Sequence, residues 1–248
     1  MTATSRVLLL EDDASIRRFV GMALAELPIE LVEARSIAEA WEQLGRQDVD
    51  LFISDLMLPD GNAMDMFRAL RDPPRASAMP VVIFSAGVSA ATREHAAELG
   101  VVRVLDKPVP YLDLVACVEQ AIGSAGQRPP SPTVVMADSL PATQRQRAID
   151  DHFGGQAALF DEFLASCLAQ LPADIEAGDQ ACAAHDTGAL RRVAHNLKSV
   201  LQLIGSTEGH AMARRLEHAA AEGQAFTAMM SDWGQVRALV KSLHRPAA

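Results

Sequence analysis

The chain has 248 residues, of which 49% are hydrophobic and 22% are charged, a composition typical of a soluble protein with one or two domains. Its net charge of −10 argues against nucleic-acid binding, and no apolar run approaches the ~18 residues that would span a bilayer. Cys117, Cys167 and Cys182 are too scattered for a zinc site or a disulfide framework, so they are expected to be reduced core thiols. Because the first residues lead directly into a predicted strand, no signal peptide is expected, and the prediction is a cytoplasmic protein.

Residues 1–123 alternate short apolar runs with amphipathic segments, which predicts an α/β domain. Strands are predicted at Val7–Leu10, Leu31–Glu33, Val49–Ser54, Val81–Phe84 and Val101–Leu105. Helices are predicted at Ser15–Glu26, Ile37–Gly45, Ala63–Arg71, Ala90–Leu99 and Tyr111–Ile122. Because crossovers between parallel strands are right-handed, five such repeats indicate a five-stranded, doubly wound parallel sheet with helices on both faces.

From residue 124 the composition becomes that of a linker, rich in Gly, Ser and Pro, which is expected to extend to residue 138. Residues 139–248 then show helical periodicity without strands. Helices are predicted at Ser139–Asp150, Gln156–Gln170, Pro172–Ala184, Thr187–Ile204, Glu208–Glu222 and Ala225–His244, with breaks at 154–155, 178–179 and 221–224. Short connections between long amphipathic helices predict an all-α, antiparallel four-helix-bundle domain.

Acidic and polar residues follow four of the predicted strands. Glu11 and Asp12 follow the first strand, Asp55 the third, Ser85 the fourth and Lys107 the fifth. The carboxyl ends of parallel strands meet at one edge of a sheet, so these side chains are expected to share a cleft. Three converging carboxylates would repel each other unless a cation were present, and Mg²⁺ is the natural occupant. Residues 1–123, with 19 acidic and 11 basic side chains, are the half of the chain better suited to bind it.

This cleft is suited to phosphoryl transfer. The Asp55 carboxylate can attack phosphorus as a nucleophile. Mg²⁺, the Lys107 ammonium and the Ser85 hydroxyl would neutralise charge on the transferring oxygens. Lys107 is one of only three lysines among 22 basic residues, and a compact ammonium suits such a site better than a guanidinium. Each side chain alone could be structural, so the functional interpretation depends on their order at successive strand ends.

A second candidate site lies in the predicted helix Thr187–Ile204. His195, Lys198, Ser199 and Gln202 have the spacing i, i+3, i+4 and i+7, so they form one stripe. The opposite, apolar face contains Leu190, Val193, Ala194, Leu197, Leu201 and Ile204. We expect His195 to project from the bundle into solvent, where its neutral imidazole can attack phosphorus and Lys198 can attract the negative charge. Out of context, an exposed histidine with this neighbour would more often be an ordinary surface residue.

Four strings, VLLLEDDASIRRF, ISDLMLPDGNAMD, VVIFSAG and VLDKPV, make residues 1–123 resemble a receiver domain of bacterial two-component response regulators, which has a flavodoxin-like fold. The resemblance implies that Asp55 is the phosphoacceptor. It implies site roles for other positions too: metal binding by Glu11, Asp12, Asp55 and the Met57 backbone carbonyl, a switch hydroxyl on Ser85, and phosphoryl contact by Lys107. Asp13 is expected to cap the following helix. At the position of Val104 the family often has Tyr or Phe, whose ring rotates inward when the hydroxyl residue moves. This chain therefore lacks the aromatic side chain that usually makes this movement.

Residues 139–244 resemble a histidine-containing phosphotransfer (HPt) domain through the strings FGGQAALFDEFLASCLAQLPADI, GALRRVAHNLKSVLQLIGS and MARRLEHAA. The family has a histidine, a lysine three residues later and a glycine ten residues later, which His195, Lys198 and Gly205 match. The resemblance implies that His195 accepts a phosphoryl group. Ser199 departs from the family, which usually has glycine there so that a partner receiver can approach closely.

Together, the two resemblances predict a phosphotransfer signalling protein of a phosphorelay, not an enzyme, in which Asp55 and His195 exchange phosphoryl groups with partners. The sequence contains no P-loop, so the expected partners are a sensor or hybrid histidine kinase and a downstream response regulator receiver. In an alternative, the receiver is a phosphorylation-controlled gate over His195 without internal transfer. A remote alternative is a Mg²⁺-dependent aspartate-nucleophile phosphatase of the haloacid dehalogenase type. Those enzymes carry Asp-x-Asp after the first strand, whereas Asp55 follows the third and Met57 replaces the second acid.

Overall fold

The computed structural model describes residues 4–72, 78–123 and 142–243, and the chain divides into two compact units. The predicted linker 124–138 and the predicted helix start at Ser139 lie outside the described residues. The domain boundaries at residues 123 and 139 therefore stay predictions. Among the described helices, none is long and apolar enough to cross a membrane.

The first unit is built around a parallel five-stranded sheet. Its elements are β1 (Ser5–Leu10), α1 (Ala14–Leu24), β2 (Ile29–Ala34), α2 (Ile37–Arg46), β3 (Leu51–Ser54), β4 (Met57–Leu58), β5 (Gly61–Asn62), α3 (Ala63–Arg71), β6 (Val81–Ser85), α4 (Ala90–Glu98), β7 (Val101–Asp106) and α5 (Tyr111–Ala121). The strand order is β2-β1-β3-β6-β7, with every neighbouring pair parallel. The predicted doubly wound α/β fold is confirmed.

The sheet is covered on both faces because successive side chains of its strands point in opposite directions. Leu8, Phe52 and Ile83 pack in one core with residues of α2, α3 and α4. The alternate positions on the same strands, including Leu9 and Ile53, are equally buried, and α1 and α5 contact each other. Continuous apolar strands thus result from burial on both sides of the sheet.

A short hairpin formed by β4 and β5 directly follows β3 and was not predicted, because two-residue strands leave no periodic pattern. In its turn, the two carboxylate oxygens of Asp60 each accept a hydrogen bond of 3.0 Å from the backbone of α2, from Ile37 N and Ala38 N. These amides have no partner within their own helix, so Asp60 caps α2. The segment after Asp55 is thereby tied to the helical layer.

The second unit is a four-helix bundle with one additional helix. Its elements are α6 (Ala142–Phe153), α7 (Ala157–Ala183), α8 (Thr187–Leu203), α9 (Thr207–Ala221) and α10 (Phe226–Leu243). Contacts run from α7 to α8, α8 to α9, α9 to α10 and α10 back to α7, which closes the bundle, and α6 packs on α7 and α8. The predicted all-α domain is confirmed, although α6 ends at Phe153 and not at Asp150.

The predicted division of α7 into two helices is wrong. The helix continues through Pro172 and Gly178 for 27 residues, although a proline inside a helix removes a backbone hydrogen bond. Packing of this long helix against both α8 and α10 overrides that local cost. Gly178 is not a break either, because it lies under the ring of Trp233, where a Cβ atom would come within 2.1 Å of the indole. Its lack of a side chain permits the close approach of α10.

Two of the three cysteines fit their predicted place in the core. All three are free thiols, with Cys117 and Cys167 buried and Cys182 partly exposed. Burial raises the pKa of Cys117 and of Cys182, which keeps both in the protonated, unreactive form.

Candidate functional sites

Asp55 lies directly after β3, at the carboxyl edge of the sheet, and is fully buried. Its Oδ1 atom accepts a hydrogen bond of 2.6 Å from the Ser85 hydroxyl at the end of β6. The same oxygen accepts the backbone amides of Leu56 at 2.5 Å and Met57 at 3.1 Å. The carboxylate is therefore held in one orientation from the neighbouring strand and from its own loop.

Lys107, after β7, supplies the positive charge. Its Nζ atom lies 2.5 Å from Asp55 Oδ2 and also donates to Glu11 Oε2, and all three side chains are buried. Burial alone would lower the pKa of Lys107, but the charges of Asp55 and Glu11 and their hydrogen bonds raise it well above its ordinary value. The ammonium therefore stays charged and offsets the repulsion between the two acids.

Glu11, Asp12 and Asp55 come together as the sequence predicts, with one carboxylate oxygen of each within 4.8 Å of the others. Burial raises the pKa of Glu11 well above its ordinary value, with the charges of Asp55 and Asp12 acting in the same direction and Lys107 opposing them. Asp12 is only partly buried, which leaves this end of the cluster open to water. A set of hard oxygen donors with water access fits Mg²⁺, which binds few carboxylates and keeps several waters.

The neighbouring residues have the following places. Asp13 caps α1 as predicted, with its Oδ1 atom accepting a hydrogen bond of 2.8 Å from Ile16 N. Val104 is half-buried on β7 and packs against the core between the sheet and α2, α3 and α4. Met57 opens the β4–β5 hairpin two residues after Asp55.

His195 is not on an exposed stripe, and that prediction is wrong. The relative exposure of His195 is 2%, that of Lys198 9% and that of Ser199 2%, while Gln202 is partly buried. The stripe expected at a bundle surface is thus covered, and α8 packs against α6 and α7 as well as α9. The sequence pattern correctly places these side chains on one face but does not reveal how many neighbours α8 has.

Glu217 on α9 links His195 to Lys198, and it was missed in the sequence. Its Oε1 atom lies 2.6 Å from His195 Nδ1, and its Oε2 atom lies 2.5 Å from Lys198 Nζ. Burial alone would raise the pKa of Glu217, but hydrogen bonds from His195 and Lys198, together with their charges, lower it to about 2. An ionised carboxylate can only accept hydrogen bonds, so Nδ1 of His195 carries a proton. In the neutral imidazole, the lone pair therefore resides on Nε2.

Packing and backbone conformation explain why the motif has a glycine at position 205. It follows α8 with φ of +84°, and a Cβ atom there would lie 2.9 Å from the Gln144 carbonyl oxygen of α6. Both the turn from α8 into α9 and the passage of α6 require a residue without a side chain.

Comparison with known families supports both halves. Residues 7–119 match the family of response regulator receiver domains, and residues 162–245 match the Hpt domain family. The chain is a receiver domain followed by an Hpt domain. The resemblances stated for the two halves are thus confirmed, and the Hpt match begins inside α7, so it does not include α6. Both are domain families of two-component signalling systems.

Curated relatives match part of the chain. The DNA-binding transcriptional regulator NtrC of Rhizobium meliloti is 26% identical over 145 residues, which are 58% of this chain and 30% of NtrC. The KDP operon transcriptional regulatory protein KdpE of Escherichia coli K12 is 31% identical over 135 residues, 54% of this chain and 59% of KdpE. This chain therefore spans less than two thirds of either relative. The solved chemotaxis response regulator CheY4 of Vibrio cholerae is 22% identical, with a TM-score of 0.45, and covers 48% of this chain and 99% of its own.

Proposed function

We propose that Asp55 of the receiver accepts a phosphoryl group with the help of Mg²⁺, and that His195 of the Hpt domain carries one to or from partner receivers. The observation that carries the proposal is that both carboxylate oxygens of Asp55 accept a hydrogen bond. The Ser85 hydroxyl donates to one at 2.6 Å, and the Lys107 ammonium donates to the other at 2.5 Å. A buried carboxylate oriented in this way is prepared for in-line attack.

At Asp55 the carboxylate attacks the phosphorus of a donor phosphohistidine or acyl phosphate, and the bond from phosphorus to the leaving atom breaks. Negative charge stays on the three transferring oxygens throughout. Lys107 and Ser85 lie where they can neutralise that charge in the transition state. Glu11 and Asp12, with Asp55 and the Met57 carbonyl, would hold the cation, which supplies further charge neutralisation when bound.

At His195 the neutral imidazole attacks phosphorus through Nε2, because Nδ1 carries the proton that it donates to Glu217. The phosphorus–oxygen bond of the partner's aspartyl phosphate breaks, and its carboxylate leaves. Positive charge that develops on the ring is stabilised by Glu217 through Nδ1–H. The same hydrogen bond fixes the ring orientation, as a carboxylate does in other histidine sites.

A labelling experiment on the full chain tests both acceptors. Wild-type protein and the variants Asp55→Asn and His195→Gln are incubated with a phosphorylated histidine kinase and Mg²⁺, and the label is assigned as alkali-labile acyl phosphate or acid-labile phosphohistidine. We expect Asp55→Asn to lose the acyl phosphate and His195→Gln to lose the phosphohistidine. Acyl phosphate that persists in Asp55→Asn contradicts the assignment of the phosphoacceptor. Equal labelling of His195 in wild type and Asp55→Asn contradicts transfer from Asp55 to His195.

The burial of His195 favours a second candidate, in which the receiver gates the Hpt domain without internal transfer. With 2% of the residue exposed, a partner's aspartyl phosphate cannot reach Nε2 until the surroundings of the ring rearrange. A phosphorylation-dependent rearrangement would make access to His195 the regulated step. The partners are the same in both cases, a sensor or hybrid histidine kinase and a downstream receiver.

A further inference from the structure

Arg17 is a buried cation beside the acidic cluster that has no part in the transfer chemistry described above. It lies on the first turns of α1, only 7% exposed, and helix side chains point back toward the amino end of their helix. Its Nη1 atom donates hydrogen bonds of 2.7 Å to the backbone carbonyl oxygens of both Glu11 and Asp12. Its Nε atom lies 3.5 Å from the Glu33 carboxylate on β2, which is about half exposed.

We propose that Arg17 is a positioning residue for the divalent-cation site, holding the backbone of Glu11 and Asp12 so that their side chains converge with Asp55. This inference rests on the proposed Mg²⁺ site of the receiver and extends it to a residue outside the set of cation ligands.

The hydrogen-bond pattern separates this role from that of Lys107. Lys107 takes carboxylate oxygens of Glu11 and Asp55, whereas both short bonds of Arg17 go to peptide carbonyls. The guanidinium therefore leaves the carboxylate oxygens of Glu11 and Asp12 available to a cation. The two hydrogens on Nη1 can be donated to two neighbouring carbonyls at once.

The loop after β1 needs these hydrogen bonds because the carboxylates of Glu11 and Asp12 lie close to that of Asp55. Mutual repulsion of these carboxylates favours a loop that opens outward. Three contacts oppose this movement: the bonds from Arg17, a hydrogen bond of 3.0 Å from Glu11 N to Ala34 O, and the Asp13 cap on α1. Of these, only Arg17 reaches the carbonyls of both acidic residues.

An effect of the charge of Arg17 and a positioning role of its hydrogen bonds predict opposite changes in Mg²⁺ binding when Arg17 is removed, which makes the inference testable. As a positive charge near a divalent cation, Arg17 repels it, so its loss would tighten Mg²⁺ binding if charge were its main contribution. As a positioning residue, its loss should loosen the loop and weaken binding. Arg18 is the matched control, because it carries the same charge at the next, exposed position of α1.

The experiment is a calorimetric titration of Mg²⁺ into the full chain, with the melting temperature of each metal-free protein measured in parallel. We expect Arg17→Met to raise the Mg²⁺ dissociation constant by about tenfold or more, as loss of an outer-shell partner typically does. Arg18→Met should leave the constant unchanged or lower it. Glu33→Gln removes the ion pair but keeps both carbonyl bonds, so it should change the constant by less than about threefold.

Arg17→Lys covers the case in which Arg17→Met does not fold. The lysine ammonium is one atom nearer the backbone than Nη1 and should not reach both carbonyls, so an Arg17→Lys protein that melts near the wild-type temperature should still bind Mg²⁺ more weakly. Equal or tighter binding by Arg17→Met, or by Arg17→Lys if the first does not fold, overturns the inference while the Mg²⁺ site stands. Absence of Mg²⁺ binding to the wild-type chain would instead overturn the proposed cation site itself.

Discussion

The side chain that contacts Nδ1 of His195 is Glu217, 22 positions away on the next helix. Its pKa of about 2 is lower than the ordinary value of 4.5, so its interactions in the folded state stabilise the protein at pH values above 4.5. This contribution is lost as the pH falls from 4.5 toward 2. The upper limit of the effect, from the size of the pKa shift, is roughly 3 kcal/mol.

We therefore expect Glu217→Gln to lower the free energy of unfolding of the Hpt domain at pH 7, with the difference from wild type shrinking as the pH approaches 2. Urea unfolding followed by Trp233 fluorescence, in a Trp41→Phe background that silences the receiver, measures this difference. Glu222→Gln is the matched control, because Glu222 pairs with His218 at 3.2 Å on an exposed surface and should have little effect. A difference for Glu217→Gln that is constant between pH 7 and pH 3 contradicts the prediction.

Ser85 provides a second prediction for a single side chain. Its hydroxyl donates to Asp55 Oδ1 and lies on the strand next to β3. Loss of one preorganised donor typically slows a reaction about 100-fold. We expect Ser85→Ala to slow phosphorylation of Asp55 by an acyl phosphate by about this factor, in a time course of alkali-labile label. Ser85→Thr retains a hydroxyl and should stay closer to wild type, and a Ser85→Ala rate equal to that of wild type would remove Ser85 from the mechanism.

The Asp55 cluster and the His195 cluster differ in how far the sequence predicts them. Parallel strands bring their ends to one edge, so Glu11, Asp55 and Lys107 could be grouped from strand order alone. The partner of His195 depends on which face of α9 meets α8, and no local pattern specifies that pairing. Arg17 was missed for a related reason, because a hydrogen bond from a side chain to a carbonyl leaves no trace in residue spacing.

At the scale of helices, one glycine on α7 and one on α10 give predictions of opposite sign. A Cβ atom at Gly178 would lie 2.1 Å from the Trp233 ring, whereas Gly234, in the middle of α10, has no atom within 4 Å of an added Cβ. We expect Gly178→Ala to destabilise the Hpt domain by about 1–3 kcal/mol through overpacking. Gly234→Ala should stabilise it by about 0.5–1 kcal/mol, because alanine favours the helix.

Thermal unfolding of the two variants, followed by far-ultraviolet circular dichroism, checks both signs in one experiment. Stabilisation by Gly178→Ala would mean that α10 can move away from α7 without loss. The same contact explains why glycine stands at position 178, and so why the predicted helix break there is wrong. Glycine usually signals flexibility, but here the ring of Trp233, 55 residues later, occupies the space of its side chain, and only the assembled bundle reveals this.

For the whole chain, the proposed function requires a buried histidine to exchange phosphoryl groups with other proteins. His195 is 2% exposed, while the side chain of His218 on α9 is 68% exposed. Diethyl pyrocarbonate modifies accessible neutral imidazoles, so we expect it to modify His195 more slowly than His218 when the products are mapped by mass spectrometry. Similar rates would show that the ring is accessible without a regulated step.

If the receiver gates the Hpt domain, phosphorylation of Asp55 must change the equilibrium between hidden and accessible His195. We expect an acyl phosphate with Mg²⁺ to change the modification rate of His195 by about fivefold or more, the lower end of ordinary coupling between two sites. Asp55→Asn must abolish this change, and His218 in the same samples must stay constant, since a change in both would reflect the reagent and not the gate. An unchanged rate at His195 in fully phosphorylated wild-type protein excludes the gate. Access would then depend on the partner receiver, which would have to open the site around Glu217 with its own binding energy.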